Sequence, residues 1–508
     1  MSLEAPHNLA FSLSDHLPIL QVLIPFIAAP LAVVIGNRII AWWLAFISSV
    51  ISLLIATTLL GKVIDGSVIS YQIGGWAPPL GIEYRVDSLS ALILFLVTLV
   101  STIILPYAYK SINFEIPKEQ HTLFYAAYLL CLTGLLGVAV TGDAFNVFVF
   151  LEISSLSTYV LIAQGSYRDK RALTAAFDYL IMGTIGATFF VIGIGFLYMA
   201  TGTLNMVDMS NLIKGQESLS TVRSGFVFIV IGIGLKLAIF PLHFWLPRAY
   251  TYAPSAITAF LAATATKVAV YMLLRFMFTI FHPNFLSKIS IFEYIILPLA
   301  IMAMFSASVI AVFQSDFKKL LAYSSIAQIG YILLGIGLMS ETSLTAAVIH
   351  IFNHGITKAV LFMGIGAYVL QGRGSFLSDL EGIGKVMPWT SAAIVVGFLS
   401  LIGVPGTVGF ISKWFLVKSA LEIGWWPVAI AIVLTSLLAV IYCWRVIETI
   451  YFKPLLSKKL TAETPISMLL PIWVGALACI YFGLNTEAIM TTSQMAAKSL
   501  YAGSFGSL

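Results

Sequence analysis

The sequence predicts an all-α integral membrane protein with about fourteen transmembrane helices, folded as a single polytopic domain over residues 1–508. Three observations predict this fold class. The chain is 60% hydrophobic and only 10% charged, whereas about 25% of the residues of an ordinary soluble domain are charged. Its mean hydropathy is +0.99. Apolar runs recur from residue 17 to residue 485, with only short loops between them.

A helix needs about 20 apolar residues to cross the hydrocarbon core of a bilayer. On that criterion the predicted spans, numbered one to fourteen, cover residues 17–36, 38–61, 87–109, 122–141, 142–164, 173–201, 225–250, 253–281, 291–313, 318–339, 344–371, 389–421, 427–451 and 465–485. The acidic first residues, MSLEAPHNLAFSLSDH, lack the basic segment of a signal peptide, so we expect no cleaved leader.

The distribution of lysine and arginine predicts the orientation of the spans in the cell membrane. The loops after the odd-numbered spans hold fourteen of the 27 basic residues, and those on the opposite side hold six, Lys62, Arg85, Lys214, Arg223, Lys288 and Lys498. Because cytoplasmic loops carry the excess, we expect both termini on the non-cytoplasmic side.

Composition excludes several classes of function. Cys131, Cys443 and Cys479 are far apart, without the close pairs of zinc or iron–sulfur sites. No metal or other cofactor is therefore predicted. The net charge is only +5 and the basic residues are dispersed, so nucleic-acid binding has no support.

Seven basic residues remain, and all fall inside predicted spans: Lys236, Lys267, Arg275, Lys358, Lys413, Lys418 and Arg445. A charge near the bilayer centre costs at least about 2.5–3.5 kcal/mol, so such residues indicate function unless a structural role accounts for them. Structural roles are expected for four charged positions. Arg275 and Lys418 are close enough to span ends to reach the interface. Arg445 has the spacing to pair with Glu448 on one helix face, and Asp178 lies in the first turns of its helix.

Glu152 lies at the centre of the fifth span, in NVFVFLEISSLSTYVLI, with Ser154 and Ser155 beside it. Lys236, at the middle of the seventh span, is the cation available to pair with it. Burial raises the proton affinity of a carboxylate and lowers that of an amine, whereas the approach of the opposite charge has the reverse effect on each. We therefore predict that Glu152 and Lys236 form a proton-transfer pair rather than a purely structural ion pair.

The seventh span is also predicted to be broken. In GIGLKLAIFPLHFWLP, Pro241 removes a backbone donor and clashes with the preceding turn. The twelfth span shows the same pattern in FLSLIGVPGTVGFISKWFL, where glycines and a proline interrupt an apolar run and Lys413 follows. Interrupted segments at matching places in two halves indicate inverted repeats. We predict two five-helix repeats, spans four to eight (122–281) and nine to thirteen (291–451). The tenth span has no counterpart of Glu152.

Further polar residues lie between the two breaks. Lys267 is central in the eighth span, and His350, His354 and Lys358 follow one another at i, i+4 spacing in the eleventh, which places them on one helix face. Three interpretations of the histidines remain open: metal ligands, packed neutral side chains, or a hydrated proton relay. Zinc would need a third ligand that is not evident. Histidine titrates near neutral pH, which favours the relay. The same interpretations apply to His243.

These residues are where the chain resembles a known family. The fourteen-span pattern, PLHFWLPRAYTYAPSAITAFLAATATKVAVYMLLR, DFKKLLAYSSIAQIGYILLGIGL and HIFNHGITKAVLF are similar to the antiporter-like subunits of Mrp-type cation/proton antiporters, membrane-bound hydrogenases and respiratory complex I. The resemblance covers roughly residues 85–450. Within the family, Tyr250 in LPRAY and a lysine at Lys413 are most similar to the D-type Mrp subunits.

The resemblance implies a proton path. Glu152 and Lys236 would form one half of it, Lys267, His350 and His354 a hydrated central axis, and Lys413 the other half. It also implies that the chain works with other membrane subunits in a hetero-oligomeric complex that moves H⁺ and Na⁺.

Three functions follow as hypotheses. The first is the proton-translocating subunit of a sodium/proton antiporter, which is not an enzyme. The second is a proton-pumping membrane-arm subunit of a redox complex, either NADH:quinone oxidoreductase or a membrane-bound hydrogenase. The third, a solute carrier acting alone, is disfavoured because the buried charges form a line rather than one pocket.

Overall fold

The computed structural model describes residues 13–216, 218–372, 374–455 and 462–503. Among them, thirteen helical segments are long and apolar enough to span a membrane, and Pro388–Ile402 forms a fourteenth when it is taken together with the sharply bent segment Leu377–Lys385 before it. The predicted all-α membrane fold with about fourteen spans is therefore confirmed.

The helices are numbered in chain order. They are α1 Leu17–Ile35, α2 Arg38–Val63, α3 Ser88–Glu115, α4 His121–Val140, α5 Ala144–Ala163, α6 Arg171–Thr201, α7 Met206–Ile213, α8 Ser220–Leu237, α9 Trp245–Tyr252, α10 Ser255–Ala263, α11 Ala265–Leu274, α12 His282–Lys288, α13 Leu297–Val312, α14 Phe317–Gly337, α15 Glu341–Leu370, α16 Pro388–Ile402, α17 Val408–Glu422, α18 Trp426–Tyr451, α19 Ile466–Leu484 and α20 Glu487–Tyr501. Two π-helical stretches, Arg275–Ile280 and Phe292–Ile296, follow α11 and precede α13.

Besides short helices such as α7 and α12, two elements were not predicted from the apolar spans. The loop between α2 and α3 contains an antiparallel hairpin of β1 Ile69–Gln72 and β2 Glu83–Val86, in which Ile69 pairs with Val86. The second is α20, which packs on α15 and α3. Its sequence includes Glu487 and Lys498 and is too polar to be a span.

The seventh predicted span is broken, as expected, and the break has a local cause. Helix α8 ends at Leu237, and Ala238 takes a left-handed conformation with φ 61°. Leu237 is the residue four positions before Pro241, whose ring clashes with the carbonyl at that position in a continuous helix. The chain resumes a helix only at α9.

The twelfth predicted span is broken in the same way, between α16 and α17. Gly403 and Gly406 have φ values of 94° and 86°, a region that glycine enters without a steric penalty. Pro405 lies between them and cannot donate to the carbonyl of Leu401. Each of the two predicted breaks therefore follows from residues that cannot continue a helix.

The two predicted repeats contain matching contacts. In the first, α4 packs on α5, α5 on α6 and α6 on α8; in the second, α13 packs on α14, α14 on α15 and α15 on α16. The residues that cap α5 and α14, Asp143 and Asp316, each form an isolated β-bridge, to Asn205 and Phe376 respectively. Each bridge thus joins the start of a repeat's second helix to the chain beyond its third helix.

The long helix α15 forms the centre of the molecule, and it is buried along almost its whole length. Helices α2, α6, α18 and α19 lie outside, where large apolar side chains such as Leu54, Phe177 and Leu437 are exposed. Apolar side chains on such outer faces suit contact with lipid or with other membrane subunits. The charged side chains of the predicted site lie mostly in the buried interior.

Candidate functional site

Lys236 lies in the last turn of α8, directly before the break, and its side chain is 6% exposed. Its ammonium donates hydrogen bonds to the hydroxyl oxygens of Ser155 and of Tyr159, the latter at 3.5 Å. It also lies 5.7 Å and 5.5 Å from the ring centroids of Tyr159 and Tyr179. Trp245 of α9 stacks on Tyr179 and donates to the carbonyl oxygen of Leu235, which ties α9 to the broken end of α8. The break therefore holds the lysine among hydroxyl groups and aromatic faces.

Glu152 lies on α5, about one turn from Ser155. Among the described residues, Glu152 and Lys236 form no ion pair, so no carboxylate oxygen lies within 4 Å of the ammonium nitrogen. The Oε1 atom of Glu152 is buried without a hydrogen-bond partner. The structure therefore brings the two groups into the same region but not into direct contact. Ser155 occupies the position nearest the ammonium.

A small cavity of about 30 Å³ lies beside Lys236 and is lined by the hydroxyls of Ser154, Ser155 and Thr158. It also reaches Ala265 and Ala269 of α11, the helix that carries Lys267. A volume of this size is about that of one water molecule, and the polar lining offers it partners. The cavity therefore connects Lys236 with the eighth predicted span.

Lys267 is buried next to a break that the sequence did not predict. The eighth predicted span is interrupted at Thr264, between α10 and α11. The Lys267 ammonium donates to the carbonyl oxygen of Ala262 at 2.5 Å and to the hydroxyl of Thr266 at 3.3 Å. Carbonyls at the end of a helix carry partial negative charge, which stabilises an ammonium there.

The polar stripe on α15 faces α14 and α17. The ring nitrogens of His350 lie 2.8 Å from the Ser412 hydroxyl and 3.0 Å from Gln328 Oε1. The ring of His354 lies 6.0 Å from that of His350, and neither of its nitrogens has a hydrogen-bond partner among the described residues. Two buried polar atoms without partners are uncommon in a native interior. This arrangement suits ordered water between the histidines, because each ring nitrogen of His354 needs a donor or an acceptor.

Lys358 completes the stripe one turn beyond His354. Its ammonium donates to the carbonyl oxygen of Leu321 at 2.8 Å and to the hydroxyl of Ser324 at 2.5 Å, both on α14. Its side chain has no exposed area. In the described chain no three His, Cys, Asp or Glu side chains gather as potential metal ligands.

Lys413 lies on α17, and its side chain extends back to the break between α16 and α17. Its ammonium donates to the carbonyl oxygens of Leu401 at 3.0 Å and Ile402 at 2.8 Å, and it lies 4.9 Å from the ring centroid of Tyr331. Pro405 is four residues after Leu401 and has no N–H for that carbonyl. The lysine supplies the missing donor.

His243 lies in the break after α8, apart from the other histidines. Its ring stacks between those of Phe240 and Phe244, at 5.2 Å and 4.9 Å, and it approaches Tyr323 of α14. The residue is 4% exposed, and its Nδ1 atom has no hydrogen-bond partner in the described chain.

Two of the predicted structural roles are wrong. Arg275 is not at an interface: it is 2% exposed and forms an ion pair with Asp87, which is also buried. Arg445 does not pair with Glu448 among the described residues. It donates instead to the carbonyl oxygens of Val312 at 2.5 Å and Gln314 at 2.9 Å. The partners of Arg275 and of Arg445 are more than a hundred residues away in the sequence, so spacing along one helix does not reveal them.

The other two positions lie near the surface. Lys418 is exposed and lies 3.7 Å from Glu422, as its location near a helix end predicts. Asp178 accepts a hydrogen bond from Arg248 at 2.7 Å, which joins α6 to α9 beside the first break. The helix-end position of Asp178 was predicted, but its partner was not.

A family model described as NADH:quinone oxidoreductase/Mrp antiporter, transmembrane, matches residues 141–439. The matched region includes all the predicted site residues. The NADH-quinone oxidoreductase subunit N of Desulforudis audaxviator is 38% identical, over 94% of this chain and 98% of that protein. The D-type subunit of the Na⁺/H⁺ antiporter of Alkalihalophilus pseudofirmus is 32% identical, over 80% of this chain and 81% of that protein.

Solved structures share the fold. A chain of the Mrp complex from Dietzia sp. has a TM-score of 0.87 and 24% identity, over 97% of this chain and 98% of that chain. A chain of an archaeal membrane-bound sulfane sulfur reductase, a respiratory membrane complex, has a TM-score of 0.86 and 28% identity, over 96% of this chain and 97% of that chain.

Proposed function

The chain belongs to the NADH:quinone oxidoreductase/Mrp antiporter transmembrane family, and we propose on that premise that it is the proton-translocating subunit of a multisubunit sodium/proton antiporter in the cell membrane. One observation carries the proposal. Three buried lysines, Lys236, Lys267 and Lys413, each lie at an interruption of a membrane helix. Buried ammonium groups at broken helices mark ion pathways rather than ordinary packing.

The contacts support an order for the path. Lys236 and Glu152 form one half of it, and the water-sized cavity beside Lys236 reaches α11, the helix that carries Lys267. The stripe of Lys358, His354 and His350 continues to Ser412, the residue next to Lys413. A proton passes when a protonated group donates to water or to a neutral neighbour, so each lysine must alternate between ammonium and amine.

The histidines suit the central part of this path. A neutral imidazole has one nitrogen that donates and one that accepts, so it passes a proton by taking it on one side and releasing it on the other. His350 is fixed by Ser412 and Gln328, whereas His354 has both nitrogens available to water. His243 lies beside the first break and extends the polar route toward α14.

We also propose that residues 122–281 and 291–451 are two inverted repeats, each providing one half of the path. The matching β-bridges of Asp143 and Asp316 support this division. Both termini are assigned to the non-cytoplasmic side, because the loops after the odd-numbered spans hold most of the lysines and arginines.

In an antiporter of this kind the proton gradient drives cation efflux. One elementary charge that moves through 100 mV supplies about 2.3 kcal/mol. The relatives are named as subunits, and the solved structures are of complexes. We therefore propose that further membrane subunits cover part of the apolar outer face and complete the cation route.

A membrane-arm subunit of a redox complex is the second candidate, and the 38% identity to an NADH-quinone oxidoreductase subunit N favours it. One experiment separates the two. The complex is purified from its native membrane through a tag on this chain, and its other subunits are identified. Sodium-dependent proton movement in everted vesicles, without iron–sulfur subunits in the complex, supports the antiporter. Copurified iron–sulfur subunits without cation-dependent proton movement would replace it with the redox complex.

A further inference from the structure

A cavity of about 440 Å³ opens at one end of the helix bundle. It is formed by the end of α3, the loop after α5, the link between α9 and α10, the start of α14 and the chain after α15. These segments follow odd-numbered spans, so the cavity opens on the face that the basic residues assign to the cytoplasm. Its charged lining consists of the more exposed Arg168, Asp169, Arg171 and Lys319 around the rim, with the buried Glu115, Asp316 and Lys318 below them.

Glu115 and Lys318 form the floor of this polar cavity, and both are buried, at 8% and 5% exposed. The Glu115 carboxylate accepts hydrogen bonds from the Ser111 hydroxyl at 2.7 Å and from the main-chain N–H of Ser255 at 3.0 Å and 3.2 Å. The Lys318 ammonium donates to the Ser255 hydroxyl at 3.2 Å and to the carbonyl oxygen of Ala253 at 3.4 Å. Ser255 therefore contacts both charged groups.

The floor lies one helical turn from the central stripe. Lys318 and Leu321 are three residues apart on α14, or about 4.5 Å along the helix axis. The carbonyl of Leu321 accepts the ammonium of Lys358, and Ser324 accepts it one turn further along. A second route from the floor runs along α3 to Tyr107, whose buried hydroxyl has no partner in the described chain and lies against Gly366 of α15.

A structural role accounts for only half of this arrangement. Glu115 caps the first N–H of α10, and a carboxylate at a helix N-terminus is stabilising in its own right. Lys318 gains no such benefit, since within the described chain its ammonium donates to neutral oxygens only. The Glu115 and Asp316 carboxylates line the same cavity, but in the described chain neither forms an ion pair with this ammonium within 4 Å. A buried lysine linked to a carboxylate through one hydroxyl, rather than by a direct ion pair, suits a group that gains and loses a proton.

We propose that the polar cavity is the mouth through which protons pass between cytoplasmic water and Lys358, with Glu115 as the group that exchanges protons with water and Lys318 as the carrier. This inference rests on the proposed proton-translocating function. The Glu115 carboxylate first binds the proton. It then passes the proton to Lys318, which is a neutral amine at this step, and the Ser255 hydroxyl acts as the relay. Lys318 then passes it to neutral Lys358 by way of water along the helical turn between them. No electrons are transferred, and at each step the donor loses the one proton that the acceptor gains.

Asp169 provides a matched control at the rim. Hydrogen bonds from Arg171 hold the pKa of Asp169 below its usual range, so it stays ionised near neutral pH and does not exchange protons there. The side chain is partly exposed and pairs with Arg171 rather than with Glu115 or Lys318.

The test measures sodium-dependent proton movement of the whole complex in everted vesicles as a function of pH. We expect Glu115→Gln and Lys318→Met to lower the rate about 10²-fold. Glu115→Asp should retain activity with a displaced pH profile, and Asp169→Asn should match the native rate and profile. Native rates in both Glu115→Gln and Lys318→Met would overturn the proposal. So would equal losses in Glu115→Gln and Glu115→Asp with an unchanged profile, because that result describes a helix cap.

A second measurement does not depend on antiport activity. Cys131, Cys443 and Cys479, which are all buried, are replaced by alanine, and Lys318→Cys and Asp169→Cys are made in that background. A charged, membrane-impermeant thiol reagent should label both cysteines from the cytoplasmic face only. Labelling of the rim cysteine alone would show that water does not reach the floor and would overturn the inference, whether or not the complex proves to be an antiporter.

Discussion

Lys413 donates a hydrogen bond of 3.0 Å to the carbonyl oxygen of Leu401, across the break between α16 and α17. Leu401 is four residues before Pro405, which has no N–H to offer. The proline thus leaves the Leu401 carbonyl without a backbone donor, and the buried lysine donates to it instead. Lys267 likewise donates to the Ala262 carbonyl at the break in the eighth span, although no proline lies there. A helix interruption in this fold is therefore also a site for an ammonium.

Replacing Lys413 by arginine separates charge from proton transfer. Arginine keeps a positive charge and donors for the two carbonyls, but it does not release its proton at physiological pH. We expect Lys413→Arg and Lys413→Ala both to lower sodium-dependent proton movement by about 10²-fold. The exposed Lys418 gives the control, and Lys418→Ala should leave the rate unchanged. Native activity in Lys413→Arg would assign Lys413 an electrostatic role only.

Two glycines of the same break test whether the position of Lys413 matters. Gly403 and Gly406 both have positive φ, so alanine at either should cost about 1–2 kcal/mol of conformational strain. A Cβ atom at Gly403 would lie 3.0 Å from Cδ of Lys413, whereas one at Gly406 would meet nothing within 4 Å. Both variants should unfold at lower temperature, but only Gly403→Ala should slow transport markedly. Equal transport in the two variants at matched assembly would contradict this prediction.

The ion pair of Arg275 and Asp87 should be important for stability. Both side chains are buried, and removing Asp87 takes away the carboxylate that pairs with the Arg275 guanidinium, at a cost of about 3–5 kcal/mol. We expect Asp87→Ala to lower the thermal midpoint of the purified complex strongly, and Asp87→Leu combined with Arg275→Met to recover most of the loss. Arg171→Ala, which breaks an exposed pair, is the control and should change little. A double variant as unstable as the single one would contradict this account.

The Asp178 and Arg248 pair tests whether every acidic residue near the first break belongs to the path. Its side chains are 30% and 60% exposed, and such pairs contribute about 0–1 kcal/mol. We therefore expect Asp178→Asn to retain the native transport rate and pH profile in vesicles. A loss comparable with that of Lys413→Ala would add Asp178 to the proton path.

The spans and the two predicted breaks could be read from the sequence because apolar length, proline and glycine are local signals. The break at Thr264 could not, since AFLAATATKVAV contains no proline or glycine near it. The partner of Arg275 also escaped prediction, because Asp87 lies at the start of a different helix, 188 residues away. The contact of Ser155 with Lys236 depends on side-chain packing that spacing alone does not show.

The buried floor residues Glu115 and Lys318 show the same limit. In the sequence Glu115 lies in the loop after the third predicted span and Lys318 at the start of the tenth, and nothing distinguishes either from the other charged residues near them. Only the packing of α3, α10 and α14 brings them to one serine.

The central claim is that protons cross the first broken helix at Lys236, and one measurement tests it most directly. Sodium-induced dequenching of a pH-sensitive dye is measured in everted vesicles from cells that lack their own antiporters. The vesicles contain the whole complex with native Lys236 or with Lys236→Ala. We predict that the native complex gives the signal and that Lys236→Ala loses it with assembly intact. An equal signal from the two complexes would make Lys236 structural and contradict the proposed path.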